Sequence, residues 1–223
     1  MAENTVPYSS IRDALKTGDI VLFQGVGWES DIVEVVELSP WTHVAMVVRV
    51  PDIEFPMIWE STPLKYIKDV IYQERKAGAR LVSLDERLAV AVGKKLYGRF
   101  AVRELEVERT EEMMGALKNF ISSEVHDLPY PSDWKMLLGF LRGRLLKEDK
   151  FVADNVYCAE LVGETYKQMG LLPSNVISNS LTPKDFSPEG RLRLLKGAKL
   201  GALNFLDMGK KSRDTGRSYS VTS

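Results

Sequence analysis

The sequence contains a single cysteine, Cys158, in the stretch NVYCAELVGETYKQMG. The helical spacing of its apolar residues predicts a helix with Cys158 in the first turn. Unpaired backbone N–H groups and the helix dipole favour a thiolate at that position, and a thiolate is a strong nucleophile. Free cysteine is also among the most buried residue types. On this stretch alone, core packing is therefore the simpler interpretation of Cys158.

A cysteine nucleophile needs a base that takes its proton, and the sequence has two histidines. His126 follows a predicted helix in SSEVHDLPYPSD and is explained as a solvated residue. His43 opens the apolar run HVAMVV, where a polar ring needs a hydrogen-bonding partner. Two interpretations of His43 stay open, a core histidine bonded to a backbone carbonyl and a general base.

Glu60, in the run MIWEST, is the predicted partner of His43. If residues 50–53 form the turn between two antiparallel strands, Val48 lies opposite Phe55 and His43 lies opposite Glu60. Directly opposed residues share a sheet face with Cβ atoms about 4.5–5.5 Å apart, so the carboxylate would orient the imidazole and stabilise its charged form. A slip of one residue would put Glu60 on the other face, and a solvated strand end is the alternative interpretation.

The elements that position these residues follow from apolar patterning. Short apolar or alternating runs predict strands at GDIVLFQG, THVAMVVRV, MIWEST, ARLVS and RFAVRELEV. Helices are predicted to follow capping residues, the last one ending at Gly170. The predicted caps are Ser83 or Asp85, Thr110, Ser132 or Asp133, and Asp154 or Asn155. This order of elements predicts the α+β class, with a mainly antiparallel sheet.

Length and charge bound the function. The chain has 223 residues and 30 Lys and Arg against 31 Asp and Glu, so neither a nucleic-acid nor an anionic-membrane partner is expected. The sequence contains neither a signal-peptide pattern nor an apolar run of membrane-spanning length, which predicts a cytoplasmic protein. One cysteine and two histidines do not suggest a structural zinc site, and we expect no metal or other cofactor. We predict one domain over residues 1–205 and a disordered tail over residues 206–223.

Four stretches, TGDIVLF, THVAMVV, IWEST and VYCAELVGETYKQMG, together resemble the circularly permuted branch of the NlpC-type papain-like cysteine peptidase superfamily. The match is closest to the group called YiiX-like and covers about residues 18–170, with YCAELV as its most specific element. In that branch the histidine precedes the cysteine, as His43 precedes Cys158 here. The resemblance implies a permuted papain-like fold, in which an antiparallel sheet or barrel packs against helices.

The same resemblance assigns roles to individual residues. It implies Cys158 as the nucleophile, His43 as the base and Glu60 as the residue that orients the base. It also implies that Tyr130 lies near the site, although the family often has aspartate directly after this tyrosine, where Pro131 stands here. Candidates for the wall of a substrate pocket, each also explicable as a core residue, are Trp28, Trp41, Tyr130 and Tyr157.

Three functions are compatible with these residues. The first is a thiol-dependent hydrolase that cleaves a small peptide or an amino-acid amide. The second is a lipid acyltransferase or phospholipase-like enzyme, because the lecithin–retinol acyltransferase group shares the permuted fold. That group typically has a second histidine and an NCEH-type cysteine motif, so Glu60 and the VYCAEL context favour the hydrolase. The third is a non-catalytic binding module. The oligomeric state is left open.

Overall fold

The protein is described by a computed structural model over residues 3–26, 39–51, 53–71, 73–122, 157–190 and 192–209. In that part of the chain the strands are β1 (Asn4–Pro7), β2 (Ile20–Gly25), β3 (His43–Val48), β4 (Met57–Thr62), β5 (Gly78–Ser83), β6 (Tyr97–Arg103), β7 (Leu105–Glu106), β8 (Lys199–Leu200) and β9 (Asn204–Asp207). Strands β7 and β8 form a separate pair, and the others form a seven-stranded sheet in the order β1-β9-β6-β2-β3-β4-β5. The α-helices are α1 (Tyr8–Ile11), α2 (Leu84–Gly93), α3 (Glu111–Ile121) and α4 (Cys158–Gln168).

The sheet is mostly antiparallel, which confirms the predicted α+β class. Every neighbouring pair of strands from β9 through β6, β2, β3 and β4 to β5 is antiparallel, and β1 pairs with β9 in parallel. No helix in the described ranges is both long and apolar enough to cross a bilayer. The helix predicted after Ser132 or Asp133 lies outside the described residues.

Helix termini follow the capping residues that the sequence predicted in two of three cases. The Ser83 side chain accepts a hydrogen bond from the Glu86 N–H at the start of α2. The Thr110 side chain accepts one from the Met113 N–H at the start of α3. These bonds satisfy N–H groups that have no partner within the helix.

Helix α4 begins later than predicted. Its N-cap is Tyr157, whose side chain makes no capping hydrogen bond, so the prediction that Asp154 or Asn155 caps this helix is wrong. The other terminus is as predicted, since the helix ends just before Gly170. That glycine has a φ of +69°, a left-handed conformation that favours glycine after a helix.

The predicted boundary at residue 206 falls inside β9. This strand pairs with β1 and with β6, and Leu206 is buried against the sheet. The folded chain therefore continues beyond residue 205, because backbone pairing and the buried side chain of Leu206 hold the end of β9 in the sheet. The polar composition of the residues that follow hid this strand from the sequence-based prediction.

Strand β3 is buried over its whole length, as its continuous apolar sequence predicts. Val44 and Met46 point into the apolar cluster that includes α4 residues. Ala45 and Val47 point into a second cluster, which includes residues of α2. The sheet thus separates an α4 side from an α2 side.

Substitution of Gly163 tests the packing of α4, with Gly115 of α3 as the control. A Cβ on Gly163 would lie 2.4 Å from the Cδ1 of Leu181, which is itself buried. We expect Gly163→Ala to lower the free energy of unfolding by roughly 1–3 kcal/mol, because overpacking displaces well-packed neighbours. A Cβ on Gly115, within α3, would meet nothing within 4 Å.

We expect the control Gly115→Ala to raise the free energy of unfolding by about 0.5–1 kcal/mol, since alanine favours the helix over glycine. Urea unfolding of both variants measures the difference. A Gly163→Ala protein as stable as Gly115→Ala would contradict the close approach of α4 to Leu181.

Candidate active site

Cys158 is the first residue of α4, which confirms its predicted place in the first helical turn. The cysteine is free, and only 7% of its surface is exposed. The helix is held against the sheet by the buried side chains of Leu161, Val162 and Tyr166. Both sequence-based interpretations of Cys158 are therefore compatible, since the helix face packs in the core while the thiol stands at the helix N-terminus.

His43 is the first residue of β3, and its side chain reaches Glu60. The Nε2 atom of His43 lies 2.8 Å from the Oε2 atom of Glu60. The two residues are 4% and 0% exposed. The partner of this buried ring is therefore a carboxylate, rather than the backbone carbonyl that was the alternative.

The strand register behind this contact differs from the predicted one. Val48 pairs with Met57 and Met46 pairs with Trp59, so the predicted pairing of Val48 with Phe55 is wrong by two residues. The predicted direct opposition of His43 and Glu60 fails for the same reason. A shift of two residues keeps each side chain on its original face, and long side chains reach diagonal neighbours across the strands. The contact therefore survives the error in register.

Two arginines that the sequence reasoning missed surround Glu60. Arg80 lies directly opposite Glu60 in the pairing of β4 with β5, and its Nη2 donates to Oε1 at 2.7 Å. Arg87 lies one turn into α2, and its Nε is 3.0 Å from both carboxylate oxygens. Both arginines are almost completely buried. The signal in the sequence was a charged residue on an otherwise apolar face of a strand and of a helix.

The arginines determine the charge of Glu60. Burial alone raises the pKa of this carboxyl group, but the charges of Arg87 and Arg80 and the hydrogen bond from His43 hold the pKa well below its usual range. Glu60 is therefore ionised at every pH at which the protein would work. Breaking a buried ion pair by removing one partner typically costs about 3–5 kcal/mol, because the other charge stays buried and unpaired.

His43 is strongly basic in this environment. Burial lowers its pKa, but the charges of Tyr97 and Cys158 and the hydrogen bonds to Cys158 and Glu60 outweigh burial and raise the pKa to about 10. Because Nε2 faces Glu60, the Nδ1 atom is the ring nitrogen left for the Cys158 thiol. The arrangement is thus a buried chain of hydrogen bonds from thiol to imidazole to carboxylate.

The remaining predicted site residues fall into two groups. Trp41 is 2% exposed and its ring stacks on Phe205, with the centroids 5.9 Å apart, so it is packed within the core. Tyr157 precedes Cys158, and its hydroxyl donates to the backbone oxygen of Asn179. Burial raises the pKa of Tyr157. The other two, Trp28 and Tyr130, lie outside the described residues.

A cavity of 610 Å³ lies beside this cluster. Tyr97 joins the two, because it lines the cavity while its ring centroid is 6.2 Å from that of His43. The described residues that line the cavity do not include Cys158, His43 or Glu60. Other residues around it include Val26, Val92, Lys95, Arg99 and Phe205.

Among the residues that the structure describes, no three His, Cys, Asp or Glu side chains come together as ligands for a metal ion.

The fold and the site together define an α+β protein with a mostly antiparallel sheet and a buried cysteine–histidine–glutamate cluster. No family model matches the chain, and no curated protein matches it. Among solved structures, it is similar to the metalloprotein YiiX from Escherichia coli O157:H7, with a TM-score of 0.46 and 19% sequence identity. The similarity covers 70% of this chain and 66% of the YiiX chain, slightly less than two thirds of that protein's length.

The basicity of His43 predicts how stability depends on pH. Its pKa is raised from 6.5 to about 10 on folding, so its stabilising effect is complete below pH 6.5 and is lost as the pH rises towards 10. We expect the free energy of unfolding to fall over this interval by an amount on the order of a few kcal/mol. Urea unfolding across the interval measures the change.

The matched control is His43→Gln, which keeps a polar side chain at this position but cannot titrate. Its free energy of unfolding should fall less over the same pH interval, since the contribution of the imidazolium is absent. Equal pH dependence in the two proteins would contradict the raised pKa of His43.

Proposed function

We propose that this chain is a thiol-dependent hydrolase of the amidase or peptidase type and belongs to the permuted papain-like branch that its sequence resembles. Cys158 is the nucleophile, His43 is the base and Glu60 orients the base. The observation that carries the proposal is the buried chain of hydrogen bonds from Cys158 through His43 to Glu60, with the thiol at a helix N-terminus. A thiol, a base that takes its proton and a group that orients the base are the usual arrangement for nucleophilic catalysis by cysteine.

The first half of the reaction forms an acyl-enzyme. The Nδ1 atom of His43 takes the thiol proton, and the Cys158 sulfur forms a bond to the carbonyl carbon of the substrate. The N–H groups in the first turn of α4 stabilise the oxygen that becomes negatively charged. When the tetrahedral intermediate collapses, the C–N bond breaks and the amine leaves with the proton from His43. The product is a thioester on Cys158.

The second half releases the acyl group. His43 takes a proton from water, and the hydroxide forms a bond to the thioester carbonyl. The C–S bond then breaks, the free acid leaves, and the proton returns to the Cys158 sulfur. Glu60 keeps its charge throughout, because the buried arginines hold it ionised. Its role is to hold the imidazole with Nδ1 towards the thiol.

The substrate class follows from the sequence context. The VYCAEL motif favours an amide substrate, such as a small peptide or an amino-acid conjugate, over a lipid ester. So does Glu60, which orients the base where the lecithin–retinol acyltransferase group typically has a second histidine. A cytoplasmic location fits such a substrate.

Alkylation of the single cysteine tests the nucleophile directly. We expect iodoacetamide to label native Cys158 well below pH 8, whereas an unperturbed thiol, for which N-acetylcysteine serves as the reference, reacts appreciably only near or above the ordinary cysteine pKa of about 8.5. In His43→Gln the rate at neutral pH should fall by about tenfold or more, since general bases and acids typically contribute at least that much. Mass spectrometry of the labelled protein measures both rates.

The result that overturns the assignment is labelling of Cys158 only after denaturation, which would leave it as a core residue. The control for off-target labelling is Cys158→Ser, because this variant contains no thiol at all.

A substrate panel separates the amide hydrolase from its alternatives. Aminoacyl and dipeptidyl amides should be turned over by the native protein, and Cys158→Ser should lose that turnover. Turnover of phospholipid esters alone would instead identify the lipid-directed enzyme. Undiminished turnover in Cys158→Ser would remove Cys158 from the mechanism. A thiol that reacts like N-acetylcysteine, in a protein that turns over neither panel, would identify a binding module.

A further inference from the structure

We propose that Arg80 and Arg87 are positioning residues, which fix the orientation of Glu60 and limit how strongly it holds a proton on His43. In this way they would set the pH range in which the site works. The inference rests on the proposed role of His43 as the base. Neither arginine belongs to the cysteine, histidine and glutamate set that the sequence predicts.

The geometry around Glu60 comes first. Oε1 accepts from Arg80 Nη2 at 2.7 Å and from Arg80 Nε at 3.1 Å, and it also accepts from Arg87 Nε at 3.0 Å. Oε2 accepts from Arg87 Nε at 3.0 Å and from His43 Nε2 at 2.8 Å. Five short contacts from three elements leave the carboxylate no freedom to rotate. Oε2 is therefore held towards Nε2 of the imidazole.

This orientation selects the tautomer of His43. A carboxylate only accepts hydrogen bonds, so the neutral imidazole must carry its proton on Nε2. The lone pair on Nδ1 is then free for the thiol of Cys158. A rotated Glu60 would lose this selection, and the wrong tautomer cannot accept the thiol proton.

The charges matter as much as the orientation. Two arginines and one carboxylate sum to a net charge of +1 within a buried cluster. An ionised Glu60 paired with His43 alone would stabilise the imidazolium and hold the proton on His43. The arginine cations repel the imidazolium and draw the carboxylate charge towards themselves, and both effects favour proton release. The arginines thus return His43 towards the behaviour of a base that can both take and give a proton.

Arg87 has a feature that packing does not explain. Its Nη1 atom is buried and has no hydrogen-bond partner among the described residues. Its guanidinium carbon lies 4.9 Å from the centroid of the Phe23 ring and 5.2 Å from that of the Tyr97 ring. A buried cation with an unpaired donor is costly, and apolar residues of the same size often serve stability equally well. Stability alone therefore does not account for an arginine here.

Arg80 differs from Arg87 in this respect. Its Nη1 donates to the backbone oxygen of Leu64 at 2.6 Å, so Arg80 also holds the segment that follows β4. Substitution of Arg80 should consequently disturb the structure more than substitution of Arg87. A variant of Arg87 therefore reports mainly the effect of the lost charge. A variant of Arg80 reports the lost charge together with a change in local structure.

The titratable and charged groups that face His43 come from five elements. They are Glu60 of β4, Arg80 of β5, Arg87 of α2, Tyr97 of β6 and Cys158 of α4.

Histidine NMR tests the inference without any substrate. His126→Gln leaves His43 as the only histidine, and Cys158→Ser removes two contributions that raise its pKa, which brings the titration to lower pH. In this background we expect Arg87→Met to raise the midpoint of the His43 titration by about one pH unit, the usual size of the effect of one nearby charge. Imidazole ¹⁵N shifts give the midpoint and the tautomer together.

The matched control is Arg12→Gln. Arg12 pairs with Asp85 at 2.8 Å, and Asp85 lies on the same helix as Arg87. Among the residues that the structure describes, the Arg12–Asp85 pair makes no hydrogen bond with Glu60. Arg12→Gln should leave the His43 midpoint unchanged. A conservative variant, Arg87→Lys, keeps the charge and loses the forked contact, so its midpoint should stay near that of the parent while the Nε2–H tautomer becomes less dominant.

Three outcomes would overturn the inference. The first is an unchanged or lowered midpoint in Arg87→Met, and the second is an equal rise in Arg12→Gln. The third is a parent protein whose neutral His43 carries its proton on Nδ1. If Arg87→Met does not fold, Arg80→Met and Arg87→Lys carry the comparison, and the tautomer of the parent decides if those also fail to fold. Because this background lacks the thiol, the hydrolase proposal can fail while the positioning role stands, and the reverse.

Discussion

The charge of one buried carboxylate governs the organisation of this site. Glu60 has no exposed surface, and an unpaired carboxylate in such a place would take up a proton. The structure meets this constraint with Arg80 from the neighbouring strand and Arg87 from the helix that follows it. Helix α2 begins directly after β5, capped by Ser83, so its first turn carries Arg87 over the carboxylate. Strand β5, the Ser83 cap and helix α2 therefore together place two cations around Glu60.

The second constraint is that the site joins the two sides of the sheet. His43 contacts the Phe23 ring, whose side chain lies in the cluster on the α2 side, while Cys158 belongs to the cluster on the α4 side. His43 is the first residue of β3, so its ring stands at the end of a strand that is otherwise covered on both faces. At this end of β3 the His43 side chain can interact with residues of both layers.

The sequence predicted the identity of this cluster better than its geometry. The α4 helix could be recognised because its apolar spacing is regular, and the contact between His43 and Glu60 survived a two-residue error in register because side chains alternate with a period of two. The length of the loop from residue 49 to residue 56 could not be predicted, since the turn signal at residues 50–53 also fits a tighter hairpin. Arg80 and Arg87 were missed because a charged residue among apolar ones is usually solvated, and only long-range pairing shows that both meet Glu60.

The cluster behaves as one unit in energetic terms. The hydrogen bond to Glu60 is one of the interactions that raise the pKa of His43, and the charges of Arg87 and Arg80, together with His43, keep Glu60 ionised despite its burial. The effect of any single substitution therefore includes the response of every other member, and the separate effects cannot be added. The loss measured on removing Glu60 is consequently larger than the worth of its hydrogen bond to His43, because two buried guanidinium groups lose their counter-ion at the same time. Only a cycle of single and double substitutions separates the orienting contact from the charge balance that supports it.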